Sequence, residues 1–208
     1  MKKLESSLLN MALVLTVISV IAGGLLAFVN MNTEQTIKEI NEKNLQQGIK
    51  KVILGEAEGD LKVEEPVEAD GMVLYRTDKG TAVKVATNGF GGKLEVLVGF
   101  DCKGEILGYT ILNTAETPGL GVKASTWFQK GQKGDIIGRN PGEKELAVSK
   151  DGGDIDAITA STITSRAFLG AVNNAYKAFV GSWDAASGAT AKAPAEEPEM
   201  CAENDSIN

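Results

Sequence analysis

The chain has 208 residues and a formal net charge of -7, which argues against a nucleic-acid partner because phosphate backbones require clustered lysines and arginines. It has no histidine and only two cysteines, which excludes Ser-His and Cys-His nucleophile pairs, His-ligated zinc or haem, and an iron–sulfur cluster built by this chain alone. Any redox group that it holds must therefore be an organic cofactor.

The first predicted element is a membrane anchor. Residues 8–29 are almost wholly apolar and uncharged, and about twenty such residues match the thickness of a bilayer core. The run is longer than the apolar region of a secretory signal peptide, and residues 30–32 do not form a small-residue cleavage site. Lys2 and Lys3 precede it, so the positive-inside rule predicts a cytoplasmic N-terminus, with the rest of the chain across the membrane.

A helix and a group of strands are predicted next. Residues 33–54 keep a helical spacing of apolar positions, and Thr36–Glu39 fits a capping box. From about Lys62 the pattern changes to short β-prone runs separated by turn residues. The clearest runs are Met72–Tyr75, Thr81–Ala86, Leu94–Phe100 and Ile106–Leu112. These runs predict an antiparallel meander and an α+β fold class.

The last predicted helix runs from Thr162 to about Phe179, where apolar residues form one face. Beyond Trp183 the composition shifts to Ala, Pro, Glu and Ser, which is typical of disorder. We therefore expect four segments. They are the N-terminus with its anchor (1–30), a connecting helix (31–60), an α+β domain (61–184) and a disordered acidic tail (185–208).

The first candidate motif is the loop Glu116–Gly121, which follows the last predicted strand. Pro118 fixes φ, while Gly119 and Gly121 allow positive φ and close backbone approach. Such a loop can present N–H groups to a ligand ring or an anion. An ordinary turn at the end of a strand explains the same residues, so both interpretations stay open here.

The second candidate motif is Asp156–Ser165, which leads into the last helix. It contains five hydroxyl residues, namely Thr159, Ser161, Thr162, Thr164 and Ser165. Free N–H groups and the positive end of a helix dipole suit a phosphate. Ser and Thr are also the preferred N-cap residues, so a phosphate site and a helix cap are both compatible with this motif.

The stretch from Gly89 to Ser165 resembles the FMN-binding domain shared by the G subunit of the Rnf electron-transport complex and the C subunit of the sodium-translocating NADH:quinone oxidoreductase. The resemblance is carried, in this order, by Gly89–Gly92, Val98–Asp101, Glu116–Gly121, Trp127 and Asp156–Ser165. It also extends to the N-terminal anchor. It implies a single transmembrane helix in the bacterial inner membrane, followed by an extracytoplasmic FMN-binding domain over 61–184.

The resemblance also implies a covalent cofactor. In that family FMN is carried as a phosphoester on the last residue of a motif that is usually Ser/Thr-Gly-Ala-Thr, followed by a β-branched residue, Thr and Ser. Aligned here, the motif is Thr159-Ala160-Ser161-Thr162, so the implied attachment site is Thr162. A literal Ser-Gly-Ala-Thr at 187–190 lacks the residues that should follow it and lies in the expected tail, so Thr190 is rejected.

Further contacts are implied by the resemblance. The phosphate cradle comprises the last helix's N-terminus with Thr159, Ser161 and Thr164. The flavin contacts come from the loop residues Thr117, Gly119, Leu120 and Gly121. Glu116 is expected to contact the flavin or to cap structure, and Lys123 or Arg166 to add a charge to the phosphate. No catalytic residue or metal site is expected.

The implied function is that of an electron-carrying subunit in a membrane ferredoxin:NAD oxidoreductase complex that couples electron transfer to Na+ or H+ translocation. Its expected partners are the other membrane and peripheral subunits, a flavin transferase for maturation, and the lipid bilayer. One alternative is the C subunit of the NADH:quinone enzyme. Another is a non-redox, membrane-tethered binding or scaffold domain, in which the hydroxyl cluster only caps a helix.

Overall fold

The fold is taken from a computed structural model that describes residues 8–55, 60–69 and 71–187. The chain divides into two compact units, with the boundary between Asn44 and Leu45. Most of the long helix α1 (Leu8–Leu54) belongs to the first unit. The second unit contains an antiparallel sheet and the last helix, so the predicted α+β class is confirmed.

The first unit contains a segment of α1 that is long and apolar enough to cross a membrane. Its large apolar side chains are exposed, among them Leu15, Leu26 and Phe28. An apolar surface that faces outward all around a helix suits lipid rather than water. The predicted anchor therefore coincides with a helix of the required length and surface.

Helix α1 does not begin again at the predicted capping box. The side chains of Asn32 and Thr33 donate hydrogen bonds to the carbonyls of Phe28 and Val29, four residues earlier. This bonding is typical of a helix interior, where a polar side chain satisfies itself on the preceding turn. Thr36–Glu39 consequently lies inside the helix, and its interpretation as a helix start was wrong.

The second unit is built on a five-stranded antiparallel sheet in the order β1-β2-β3-β4-β5. The strands are β1 (Val67–Ala69), β2 (Met72–Thr77), β3 (Gly80–Asn88), β4 (Lys93–Phe100) and β5 (Ile106–Thr114). The four predicted runs fall within β2 to β5, so the meander is confirmed. Short turns connect each of the strands β2 to β5 with the next, because Gly, Asn and Asp residues lie between the β-prone runs.

After β5 the chain forms short helical segments before the last helix. These are a 3₁₀ turn (Gly121–Lys123), helix α2 (Ala124–Trp127), a second 3₁₀ turn (Ser149–Asp151) and helix α3 (Thr162–Ser187). Helix α3 begins where predicted and continues past the predicted end at Phe179. The remainder of the expected tail, 188–208, lies outside the described residues.

Both faces of the sheet are covered. Helix α3 packs on one face, where the rings of Phe128 and Phe168 stack with centroids 4.5 Å apart. The last turns of α1, through Ile49, Val52 and Ile53, pack on the other face. The interior strand β4 is accordingly apolar and buried from Val96 to Phe100, as expected of a strand covered on both faces.

Candidate functional site

The two sequence motifs meet at one cavity of about 320 Å³. It lies between the Gly89–Gly92 loop, the Glu116–Gly121 loop and the start of α3. Its lining residues are Phe90, Glu116, Thr117, Leu120, Ala160, Ser161, Thr162 and Ile163. Phe90 and Ile163 are 71% and 53% exposed, so the opening has an apolar rim.

The start of α3 uses some of its hydroxyl groups for structure. The Ser165 hydroxyl accepts a hydrogen bond from the N–H of Ile158 at 2.9 Å and donates to the carbonyl of Ser161 at 3.0 Å. Ser165 and Thr164 are fully buried. Thr162, by contrast, is half-buried and lines the cavity. The cluster is therefore part helix cap and part cavity wall.

Glu116 connects the segments around the cavity. Its Oε1 accepts hydrogen bonds from the N–H of Phe90 at 2.7 Å and the hydroxyl of Thr164 at 3.0 Å, and its Oε2 accepts one from the N–H of Gly91 at 3.1 Å. The residue is only 6% exposed. A buried carboxylate with three donors holds its neighbours firmly, because each bond to a charged acceptor is stronger than a neutral one. Glu116 thus acts as a structural link, which is one of the two roles that the sequence allowed.

The glycines near this carboxylate allow its close approach. A Cβ at Gly91 would lie 2.9 Å from the Cα of Glu116, and a Cβ at Gly121 would lie 2.7 Å from its Cδ. Neither distance is compatible with a side chain unless the backbone of Glu116, in the first case, or its buried carboxylate, in the second, shifts. Gly119 has open space around it but adopts φ of 78°, which favours glycine.

Two side chains attach the segments after the loop to the core. Tyr109 donates a hydrogen bond to the carbonyl of Ala124 at 2.6 Å and accepts one from the N–H of Phe128 at 3.2 Å. Burial raises the pKa of the Tyr109 hydroxyl, so it stays protonated and keeps donating at physiological pH. The Trp127 indole donates to the carbonyl of Asp156 at 2.7 Å. Helix α2 is therefore held against both the sheet and the second motif.

The cation beside Thr162 is Lys150, which was not among the residues predicted from the sequence. The ammonium of Lys150 lies 3.4 Å from the hydroxyl oxygen of Thr162. Arg166 instead pairs with Asp151 through two contacts of 2.6 Å, and this pairing lowers the pKa of the Asp151 carboxyl. Lys123 does not line the cavity.

Comparisons with known proteins identify the family. A profile of the FMN-binding domain family matches residues 89–177. The G subunit of an ion-translocating oxidoreductase complex from Shewanella loihica is 32% identical, over 81% of this chain and 88% of the relative. The chain belongs to the family of these G subunits.

A further member of the G-subunit family comes from the Na(+)-translocating ferredoxin:NAD(+) oxidoreductase complex of Acetobacterium woodii. It is 32% identical, over 79% of this chain and 87% of the relative. Among solved structures, the C subunit of a Na(+)-translocating NADH-quinone reductase from Parabacteroides distasonis is similar, with a TM-score of 0.45 and 20% identity over 72% of this chain and 94% of that one. The family assignment rests on the sequence relatives.

The G-subunit fold brings some of the predicted site residues together and leaves others apart. Thr117, Leu120, Ser161 and Thr162 line the cavity, with Glu116 beside them. Thr164 contacts Glu116 rather than the open space. The predicted contacts that do not line the cavity are Thr159, Gly119, Gly121 and Lys123.

Three cavity features were missed by reasoning from sequence. Phe90 was taken as part of a turn, and its sequence context provided no signal of a cavity contact, because a single exposed apolar residue is common on protein surfaces. Ile163 was taken only as a β-branched motif position. Ala160 adopts φ of 62°, a left-handed conformation that favours glycine over a residue with a Cβ.

The residues present fit an FMN group. The first N–H groups of a helix have no partner within the helix, and at α3 they adjoin Thr162 at the cavity wall. A phosphate is favoured at such a helix end, and the apolar side chains of Phe90, Leu120 and Ile163 suit a flat aromatic ring. The cavity thus offers one polar end and one apolar rim, as an amphipathic cofactor requires.

Proposed function

We propose that this protein is the flavin-carrying subunit of an Rnf-type ion-translocating oxidoreductase complex, with FMN joined through its phosphate to the hydroxyl of Thr162. The observation that carries the proposal is the position of Thr162 at the first turn of α3, on the wall of the 320 Å³ cavity. Membership of the G-subunit family supports the complex, and the FMN-binding domain match supports the cofactor.

Thr162 is favoured over the neighbouring hydroxyl groups by burial and bonding. Thr164 and Ser165 are fully buried, and both donate to other protein groups. Ser161 is only 9% exposed. Thr159 is exposed but does not line the cavity. Thr162 alone among these five combines partial exposure with a place on the cavity wall.

A separate flavin transferase is needed for attachment. A threonine hydroxyl is a weak nucleophile without a base, and the partner of Thr162 is an ammonium group, which cannot accept a proton. We propose that the transferase uses FAD. A bond forms between Thr162 Oγ1 and the phosphorus of the FMN half, the pyrophosphate P–O bond breaks, AMP leaves, and the hydroxyl proton passes to a base of the transferase.

When bound, FMN supplies one- and two-electron transfer, and the protein sets its orientation and surroundings. Phe90, Leu120 and Ile163 give the ring an apolar contact surface. The N-terminus of α3 stabilises the negative phosphate through its dipole. Glu116 keeps the Gly89–Gly92 loop and α3 at a fixed separation. The chain's own residues therefore hold and orient the cofactor.

The proposal places the flavin domain on the extracytoplasmic face, with α1 as the membrane anchor. Two lysines before the apolar run and none within it support this orientation. The expected partners are the other subunits of the complex and the lipid bilayer. The Acetobacterium relative is named as Na(+)-translocating, and for this protein the coupled ion is proposed to be Na+ or H+.

The test is flavin fluorescence in a denaturing gel, in cells that have a flavin transferase. Covalent flavin survives denaturation, so the wild-type band should fluoresce and Thr162→Val should abolish the signal. Thr190→Val, which alters the literal Ser-Gly-Ala-Thr motif, should leave the signal unchanged. A dark wild-type band would reject the carrier and favour the scaffold alternative, while a fluorescent Thr162→Val band would reject the attachment site.

A further inference from the structure

Lys150 lies outside the Asp156–Ser165 motif, and the fold brings it beside Thr162. It lies in the 3₁₀ turn Ser149–Asp151, twelve residues before Thr162, yet its Nζ approaches the Thr162 hydroxyl oxygen at 3.4 Å. The turn ends at Gly152, which adopts φ of 86° and redirects the chain. The turn thus brings a lysine to the hydroxyl of Thr162, although Lys150, like Lys123, is not itself a lining residue of the cavity.

The turn is fixed on both sides of Lys150. Ser149 donates its N–H to the carbonyl of Ile155 at 2.8 Å and its hydroxyl to Asp156 Oδ1 at 3.2 Å. On the other side, Asp151 accepts two hydrogen bonds from the Arg166 guanidinium. Planar two-point pairing of this kind restricts orientation as well as distance. Arg166 therefore positions the turn, and its own charge is balanced by Asp151.

The charge of Lys150 is available to a ligand. Within 8–55, 60–69 and 71–187, no carboxylate forms an ion pair with it. The neighbouring carboxylate of Asp151 accepts two hydrogen bonds from Arg166, and Arg166 lowers the pKa of that carboxyl more than the Lys150 charge does. The contact of Lys150 is with an uncharged hydroxyl, which leaves the ammonium's other N–H donors to face an anion attached at that oxygen.

We infer that Lys150 is the positioning residue for the flavin phosphate, donating a hydrogen bond to its non-bridging oxygen during and after attachment to Thr162. This inference rests on the proposed function. The phosphoester carries one negative charge, which the ammonium balances at the point where the new P–O bond forms. During transfer, negative charge accumulates on the same oxygens as the pyrophosphate bond breaks and AMP leaves, and a fixed cation stabilises that charge.

The experiment is a time course of covalent flavin incorporation into the detergent-solubilised full chain, with purified flavin transferase, Mg²⁺ and FAD. In-gel fluorescence and intact mass report the attached FMN. The variants are Lys150→Gln, Lys150→Arg and Lys177→Gln, the last being an exposed lysine on α3 that faces Glu145. Because Lys150 is exposed, Lys150→Gln should slow incorporation by about five- to tenfold, and the loss should shrink as NaCl rises from about 0.05 to about 0.5 M.

Lys150→Arg should recover most of the rate, because it restores the charge, and Lys177→Gln should match the wild type. The inference is overturned if Lys150→Gln incorporates flavin as fast as Lys177→Gln, or if Lys150→Arg is as slow as Lys150→Gln. Thr162→Val in the same assay distinguishes a failure of the proposed attachment site from a failure of the proposed role of Lys150. Incorporation into that variant contradicts the proposed attachment site, whereas zero incorporation there with a normal Lys150→Gln rate contradicts only the role of Lys150.

Discussion

Among the residues around the cavity, Glu116 has a structural role, because it links the Gly89–Gly92 loop to α3. Its carboxylate receives two backbone N–H groups from one loop and a hydroxyl from α3, while the glycines beside it leave room for the side chain. The sequence motif around Glu116 is therefore explained as much by the burial of this carboxylate as by contact with a ligand. Its removal should disturb the cavity without removing Thr162, the proposed attachment site.

Glu116→Gln should lower the free energy of unfolding by about 1–2 kcal/mol, because the amide presents an NH2 group to an N–H donor whichever way it turns. The N–H groups of Phe90 and Gly91 should exchange with solvent faster. Thermal unfolding and hydrogen exchange by mass spectrometry measure both effects.

The matched control is Glu143→Gln, which removes the same charge from an exposed position. It should leave the melting temperature and the exchange of the Gly89–Gly92 loop unchanged. Equal melting temperatures for the two variants would contradict the linking role of Glu116.

At the scale of elements, the turn before α3 is under local strain. Ala160 is held at φ of 62°, a conformation that costs a residue with a Cβ about 1–2 kcal/mol relative to glycine. The adjacent bonds between Ile158, Ser161 and Ser165 keep the turn in this form. The strain thus lies in the loop that presents Thr162.

Ala160→Gly should therefore raise the free energy of unfolding by about 1 kcal/mol and the melting temperature by a few degrees. Ala167→Gly, inside α3, is the control and should lower stability by about 1 kcal/mol, since glycine weakens a helix interior. Thermal unfolding of the full chain in detergent compares them. A similar loss of stability in both variants would show that the turn is not strained.

The sequence predicted the helices and strands better than it predicted where one element ends and the next begins. Alternating β-prone runs and glycine-containing turns are local signals, so β2 to β5 and the start of α3 were found. The continuity of α1 was missed because Thr36–Glu39 satisfies a cap pattern even where the neighbouring turns already form a helix. Local patterns do not reveal which of two compatible bonding schemes the chain adopts.

The site was predicted only in part, because its sequence motifs are local patterns whereas some of its contacts depend on the fold. The two motifs that meet at the cavity were each visible, and the resemblance related them to one cofactor. Lys150 was not visible, because its approach to Thr162 depends on the 3₁₀ turn and on the pairing of Arg166 with Asp151. Lys123 and Arg166 were the predicted candidates, since each lies within two residues of one of the two motifs.

At the scale of the whole molecule, the protein combines a membrane helix with a flavin domain, and its orientation decides which compartment receives the flavin. The two lysines before the apolar run predict a cytoplasmic N-terminus. FMN that could dissociate outside the cytoplasm would be lost by dilution. A covalent link and an extracytoplasmic domain are therefore mutually consistent proposals.

Protease added to spheroplasts should remove the flavin domain and leave a short membrane-embedded fragment. An N-terminal epitope tag should remain detectable on that fragment, because it lies on the protected side. Immunoblotting for the tag detects the protected N-terminal fragment, and in-gel fluorescence detects whether the flavin domain is still attached to it. Protection of the domain in spheroplasts, with cleavage only in inverted vesicles, would reverse the orientation.

The cavity wall is assembled from three parts of the chain that are distant in sequence, since Glu116 joins Phe90, 26 residues before it, to Thr164, 48 residues after it. We expect contacts over such separations to form late in folding, because closing the long intervening loops costs conformational entropy before the contacts compensate for it. A nascent or misfolded chain has the threonine but not the assembled cavity wall, which we expect the proposed transferase to recognise. Under the proposed attachment at Thr162, we expect flavin to be joined only to folded chains, so that the fluorescent fraction of a preparation reports the share of molecules that have completed their fold.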